Sequence, residues 1–370
     1  MTLSEALEPI VGAALARGVT PGGVVAAGAA RGRDELVAFG RTRSDDPSAA
    51  APVAADTVYD IASLTKPVAT MAVFLRLAEA GAIALDTPAG ALLPELVAAG
   101  GERITVAHLL GHAAGFPDHV AFYERLWAGD RAGAASAREA LVRMAGATPL
   151  AAEPGGAARY SDLGYILLGA ALERAGGARL DELARALVFE PLGMVDTRFV
   201  DLDAPRAARD PRVAPTEICP RRGLVWGEVH DENCHAAGGV CGHAGLFSTA
   251  GDLARFARAA LAALGGEPGL LPPDLARRLA TTPSAPGTTW RLGWDTPSGA
   301  PGVTHAGDLW PKDGVGHLGF TGCSLWLDPA RRRYAILLTN RVHPSREGTG
   351  IRELRRAVND ACLRYLGGAA

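Results

Sequence analysis

The chain has 370 residues, 48% of them hydrophobic, with 37 Lys and Arg against 40 Asp and Glu and a formal net charge of -3. That apolar content suffices for one large core or two smaller ones and excludes a disordered chain. The near-balanced charge, with no long block of one sign, gives nucleic acid no electrostatic footprint.

Met1 to Glu8 carries Glu5 and Glu8 where a secretory signal would carry lysine or arginine. Leu3, Leu7, Ile10, Val11, Ala14 and Leu15 recur at helical spacing, so an amphipathic helix opens the chain. No apolar run approaches the roughly 20 residues that a bilayer crossing needs. The five cysteines, Cys219, Cys234, Cys241, Cys323 and Cys362, are odd in number and irregular in spacing, which argues for free thiols. The expectation is a cytoplasmic, soluble protein without a membrane span, monomeric and with no nucleic-acid partner.

Pro21 to Ala30 and Glu35 to Gly40 read as two strands joined by the turn-rich Arg31-Gly32-Arg33-Asp34, and Ser44 to Pro52 as a loop. Thr57 to Asp60 is a short strand feeding a helix from Ser63 to Ala80, on which Val68, Met71, Ala72, Leu75 and Leu77 roughly follow helical spacing. Ser63 and Lys66 fall in its first turn, and residues three apart share a face. The amine can therefore reach the hydroxyl, where the free N–H groups of the helix start also point. Taken alone, Ser-x-x-Lys equally describes a capping serine with an exposed lysine. Val68 to Leu75 carries no charge, however, and a lysine on so apolar a helix is costly unless something uses it.

Helical text continues through Thr105–Leu110, Ser136–Ala145, Asp162–Ala175, Leu180–Phe189, Gly251–Leu264 and Pro273–Ala280. Between Asp201 and Gly245 periodicity gives way to Gly, Pro, His and charge, and a loop that long in a compact domain is usually functional. Within it, His230, Asp231, Glu232, Cys234, His235, Cys241 and His243 are metal-ligand types whose spacing matches no zinc pattern. Gly314–Thr321, Cys323–Leu327 and Tyr334–Thr339 then read as three strands, the last two joined by Asp328-Pro329 and the solvated run Arg331-Arg332-Arg333. A helix from Ile351 to Leu366 follows, with Leu354, Val358 and Cys362 on one face. The two strand groups have to share one antiparallel sheet of five or more strands flanked by helices, an α+β sandwich with an inserted all-helical part. Residues 1–62 with 285–370 form the expected sheet domain, 63–284 the helical one, and a cleft lies between them.

A serine nucleophile needs a base, an orienting partner and an oxyanion site. The G-x-S-x-G elbow is absent, since Gly322-Cys323-Ser324-Leu325-Trp326 ends in tryptophan; H-E-x-x-H and the P-loop are absent too. What remains is Ser63-Leu64-Thr65-Lys66, Tyr160-Ser161-Asp162 opening a helix, and His317-Leu318-Gly319 on a strand before Phe320.

In order and separation these three pieces resemble the S-x-x-K, Y-x-N and K-T-G or H-T-G motifs of the penicillin-recognising serine hydrolases. The chain is most similar to the branch of class C β-lactamases, DD-peptidases and β-lactamase-like esterases. Leu109 to Gly115 and Ala244 to Leu253 are similar to two further segments of that family, so the likeness spans nearly the whole chain. It implies a β-lactamase/transpeptidase-like fold and acylation of Ser63, with Lys66 beside it and Tyr160 relaying the proton. The oxyanion would rest on the N–H groups of Ser63 and Phe320, and no metal or cofactor is implied. The phenol acts as a base near neutrality only if adjacent positive charge favours phenolate, and Lys66 is the available charge.

Two departures bear on the substrate, which the resemblance implies is a small ester, amide, β-lactam or peptide. Asp162 replaces the usual amide with an acceptor that carries charge, expected to pair with Lys66 and hold it protonated. His317 and Leu318 replace a cation or hydroxyl that suits a substrate carboxylate; His317 is mostly neutral at pH values of about 7.5. Ester, amide or peptide hydrolysis, including a cell-wall-related peptidase, is therefore favoured over efficient β-lactam turnover. A class C-type β-lactamase, or a catalytically weak penicillin-binding or sensor protein, stands as the alternative. Of Trp226, Trp290, Trp294 and Trp310, most are expected in the core or the cleft wall.

Overall fold

The structure is a computed structural model that describes residues 1–98, 100–204, 210–298 and 304–368. Its centre is a five-stranded antiparallel sheet of β1 (Gly22–Ala29), β2 (Glu35–Gly40), β3 (Val315–Leu318), β4 (Ser324–Asp328) and β5 (Arg333–Thr339), in the order β2-β1-β5-β4-β3. β1 pairs with β5 from Gly23 opposite Thr339 to Ala29 opposite Arg333, so the two ends of the chain share one sheet as expected.

Alternate side chains of a strand point to opposite faces, and here both faces are covered. Val25 and Ala27 of β1, Trp326 of β4 and Leu337 of β5 pack under α1 (Leu3–Ala16) and the long helix Ile351–Gly368 through Leu3, Leu7, Val11, Leu354, Val358 and Cys362. Val24, Ala26, Leu325, Ile336 and Leu338 face the other way, into the main core. That core also holds α2 (Ala72–Glu79), α3 (Asp162–Gly176) and α4 (Ala250–Leu264), which have buried faces. The helix Ile351–Gly368 is α5 below. Each fully buried leucine or valine contributes roughly 1.5–3 kcal/mol, so both layers hold the sheet.

Most predicted elements form within a residue or two of their expected bounds. The exception that matters is the helix expected from Ser63. The chain instead makes a 3-10 turn over Ala62–Leu64 and a wide π turn over Lys66–Met71 before α2 begins. Pro67 supplies the reason: it has no N–H, so the Ser63 carbonyl lacks its ordinary partner four residues on and the first turns cannot be regular α. The stretch 201–245 is not a plain loop either. It carries a two-stranded ribbon, Ile218–Cys219 with Gly223–Leu224, and a one-turn helix, Glu232–Ala236. Residues 205–209 of that predicted loop lie outside the described residues. No helix among the described residues is long and apolar enough to cross a membrane.

Candidate active site

Ser63 follows the short strand Tyr59–Asp60, which pairs with Leu246–Ser248. The buried Asp60 carboxylate accepts the Ala62 N–H at 2.8 Å through one oxygen and the His230 N–H at 2.7 Å through the other. Ala62 has φ +47°, a conformation that L residues avoid, so Asp60 holds a strained residue immediately before the serine. Thr65 Oγ donates to the Ala62 carbonyl at 2.6 Å and closes the turn from the far side.

Lys66 is fully buried. Its Nζ lies 3.0 Å from Ser63 Oγ, 2.7 Å from the Tyr160 hydroxyl, 2.8 Å from Asp162 Oδ1 and 3.0 Å from the His243 carbonyl oxygen. The Tyr160 hydroxyl is itself 2.7 Å from Ser63 Oγ, which closes a triangle of hydroxyl, amine and phenol. Tyr160 is placed by its neighbours. Its ring lies 4.7 Å from that of His112 and 5.4 Å from that of Trp290, and the next N–H, of Ser161, donates to His112 Nδ1. His112 thus serves as a neutral acceptor, and burial pushes its pKa well down.

The electrostatics follow from the pairing. Burial alone would lower the Lys66 pKa, but the Asp162 carboxylate and the Tyr160 phenol outweigh it and the net shift is upward. Asp162 is pulled below the usual carboxylate range, since the Lys66 charge and hydrogen bond, with His119 and His243 nearby, overcome its burial. Tyr160 is pushed up to about 12, because burial and the Asp162 charge exceed what Lys66 offsets. Lys66 does favour phenolate, as expected, but burial outweighs it and the resting state holds a phenol.

Six of the seven residues singled out by sequence, Ser63, Tyr160, Asp162, His317, Gly319 and Phe320, line one cleft of about 660 Å³, and Lys66 lies beneath it. His317 Nδ1 sits 2.9 Å from the Leu318 carbonyl and therefore carries the proton. Its buried Nε2 is an acceptor with no partner among the described residues. Burial, helped by the Lys66 charge, pushes His317 down to about 3, so it stays neutral across the ordinary pH range. Gly319 packs so tightly that a Cβ there would lie 2.4 Å from the Ile61 carbonyl oxygen. Among the described residues the Phe320 N–H donates to no backbone carbonyl; the residue is 49% exposed, and its ring stacks on His230 and lies under the Arg341 guanidinium.

Two of the histidines in the 229–243 stretch are held by carboxylates. His230 Nε2 is 3.1 Å from Glu217, and His243 Nε2 is 2.9 Å from Asp231. Trp290 forms cleft wall, Trp294 and Trp310 are core, and Trp226 donates to the Val213 carbonyl. Sequence reading missed Asp60, His119, whose Nδ1 is 3.8 Å from Asp162, and the cleft arginines Arg341 and Arg355. Arg341 donates to the carbonyls of Phe320 and Arg346, and Arg355 to those of Gly319, Gly322 and Cys323.

A family model described as Beta-lactamase matches residues 7–360. An Escherichia coli (strain K12) protein named "Putative D-alanyl-D-alanine carboxypeptidase" is 31% identical over 307 residues, 78% of this chain and 70% of its own. A Salmonella agona protein of the same name is 30% identical over the same shares of the two chains. Among solved structures, EstCE1, titled a hydrolase with promiscuous acyltransferase activity, superposes with a TM-score of 0.75 at 24% identity, covering 98% of both chains. An octameric penicillin-binding protein homologue from Pyrococcus abyssi gives 0.73 at 22% identity, covering 99% of this chain and 78% of that one. These likenesses carry the fold, and it is the β-lactamase/transpeptidase-like α+β fold expected from the sequence.

Proposed function

The chain belongs to the Beta-lactamase family of serine hydrolases, and from that premise we propose that Ser63 is acylated by an ester, amide or peptide and freed by water. The observation that carries this reading is the triangle in which Tyr160 and Lys66 lie 2.7 and 3.0 Å from the serine oxygen. The reactive form has lost one proton from the Lys66–Tyr160 pair. Ser63 Oγ attacks the carbonyl carbon as its proton passes to the Tyr160 oxygen, with Lys66 as ammonium steadied by Asp162. The oxyanion rests on the N–H groups of Ser63 and Phe320. Tyr160 returns the proton to the departing alcohol or amine. A water then takes the place of the serine, and the same groups run the steps in reverse.

The neutral acceptor His317 offers nothing to a substrate carboxylate, which favours esters and uncharged amides over β-lactams. A second reading rests on a specific observation. Arg341 lines the same cleft and bonds to backbone carbonyls and to no carboxylate among the described residues, so a free carboxylate on a peptide substrate finds a cation there that the His-Leu-Gly triplet lacks.

A fluorophosphonate probe should add its mass to the protein and not to Ser63→Ala; an unlabelled wild type would overturn the nucleophile. On a panel, p-nitrophenyl esters should outpace nitrocefin. Faster cleavage of D-alanyl-D-alanine peptides with a free carboxylate than of their amidated forms would select the second reading, and the reverse order the first.

A further inference from the structure

One peptide group, that between Gly319 and Phe320, faces two ways. Its N–H is the oxyanion donor in the reading above, on which this inference rests. Its carbonyl accepts from Arg355 Nη2 at 2.5 Å and, within the turn, from the Gly322 N–H at 3.0 Å. A peptide bond is planar and trans, so carbonyl and N–H lie on opposite sides and whatever fixes one aims the other. The same guanidinium also donates to the carbonyls of Cys323 at 2.9 Å and Gly322 at 3.1 Å, so three carbonyls of the turn after β3 converge on one side chain carried by α5. Arg355 is 5% exposed. Its hydrogen bonds go to backbone carbonyls, and no carboxylate among the described residues bonds to it.

We propose that Arg355 is a positioning residue that aims and polarises the Gly319–Phe320 amide, so that its N–H becomes a stronger donor to the acyl oxygen. A clamp made only for shape would not need a charge. Burying a guanidinium with only carbonyls for partners is costly, and a neutral amide could cross-link the same turn. A charged donor gives a bond roughly twice as strong as a neutral one, and in a low-dielectric site each bond strengthens the next by perhaps 10–30%. The pull on the Gly319 oxygen draws electron density from the amide nitrogen and makes the Phe320 N–H more acidic where negative charge develops. Burial pushes Arg355 down only to about 10, so the charge persists at neutral pH.

The test uses p-nitrophenyl acetate, whose lack of charge removes any contribution from binding a substrate carboxylate. In Arg355→Gln the acylation rate constant should fall roughly 30- to 100-fold, a large part of the loss typical of removing one oxyanion donor, with the dissociation constant of the ester little changed. Infrared difference spectra of the acyl-enzyme supply a readout that a merely structural role would not move. The acyl carbonyl stretch should rise toward its free-ester frequency in Arg355→Gln and lie between the two in Arg355→Lys. A folded Arg355→Gln with wild-type acylation rate and carbonyl frequency overturns the proposal. If that variant does not fold, Arg355→Lys, which keeps a buried cation, decides by the same two measurements. Failure of the underlying reading looks different, because Ser63 then forms no acyl-enzyme even in the wild type.

Discussion

Lys66 has three N–H bonds and four oxygens within reach, and only one of those oxygens belongs to an ionised group. The Asp162 carboxylate therefore keeps the amine an ammonium, and the Tyr160 proton is the one that has to leave before the pair can act as a base. With Tyr160 pushed up to about 12, the reactive fraction is small at neutrality. The acylation rate should accordingly rise close to tenfold per pH unit from about pH 7 to pH 9, as expected below the pKa of an essential base. Asp162→Asn removes a charge that raises Tyr160, so the rising limb should shift to lower pH by about one unit. A pH–rate profile of acylation checks both, and an unmoved limb would refute the role given to Asp162. That the three motifs belong together was legible because they stand in a fixed order, and the structure brings them to one cleft. Arg355 was also within reach of sequence, three residues before Val358 and seven before Cys362 on the buried stripe of α5. It went unseen because Arg352, Arg356 and Arg364 share that helix and an exposed arginine is the ordinary case. Arg341 and His119 leave no periodic mark at all, since long-range pairing alone brings them to the cleft.

At the scale of elements, the site is two turns held against one another. The Ser63 turn is strained at Ala62 and tied by Asp60; the turn after β3 is tied by Arg355 and by Thr321, whose hydroxyl donates to the Asp60 carbonyl at 2.7 Å. Gly319 is where they touch. A methyl group at that position would lie 2.4 Å from the Ile61 carbonyl oxygen, a backbone atom that cannot step aside. Gly319→Ala should therefore lower kcat/KM by about 100-fold or more, the scale of a lost oxyanion donor, while thermal denaturation shows a folded protein. Wild-type turnover in that variant would mean that the turn does not serve the reaction. The strands and most helices were readable from alternation and helical spacing, whereas the 3-10 and π turns at Ser63 were not. Propensity describes regular elements, and here a missing N–H at Pro67 forces an irregular one. The strands Tyr59–Asp60 and Leu246–Ser248, of two and three residues, are too short to carry a pattern, although the first was anticipated as the lead into the serine turn.

At the scale of the molecule, the sheet is a layer between two cores. Leu7 of α1 is fully buried against the face that α5 also covers, far from the chemistry. Leu7→Ala should cost roughly 2–5 kcal/mol of unfolding free energy from lost burial and the cavity left behind, read as a lower denaturation midpoint. The acylation rate at 25 °C should stay within about twofold, since additivity holds for distant sites. A matching fall in the rate would mean that the outer layer is coupled to the cleft. That the ends of the chain share a sheet was legible from strand content alone, because neither group of strands could bury both faces by itself. The register between β1 and β5 has a consequence for synthesis. The hairpin Gly22–Gly40 leaves the ribosome early, and the partner for its inner edge is not translated until some three hundred residues later. In that interval the nascent chain carries a bare strand edge, a template for pairing with other polypeptides, alongside a Ser63 that still lacks the turn bearing the Phe320 N–H. On the proposed mechanism catalytic competence therefore arrives late in translation, since a chain that stops before β3 holds Ser63 without the Phe320 N–H.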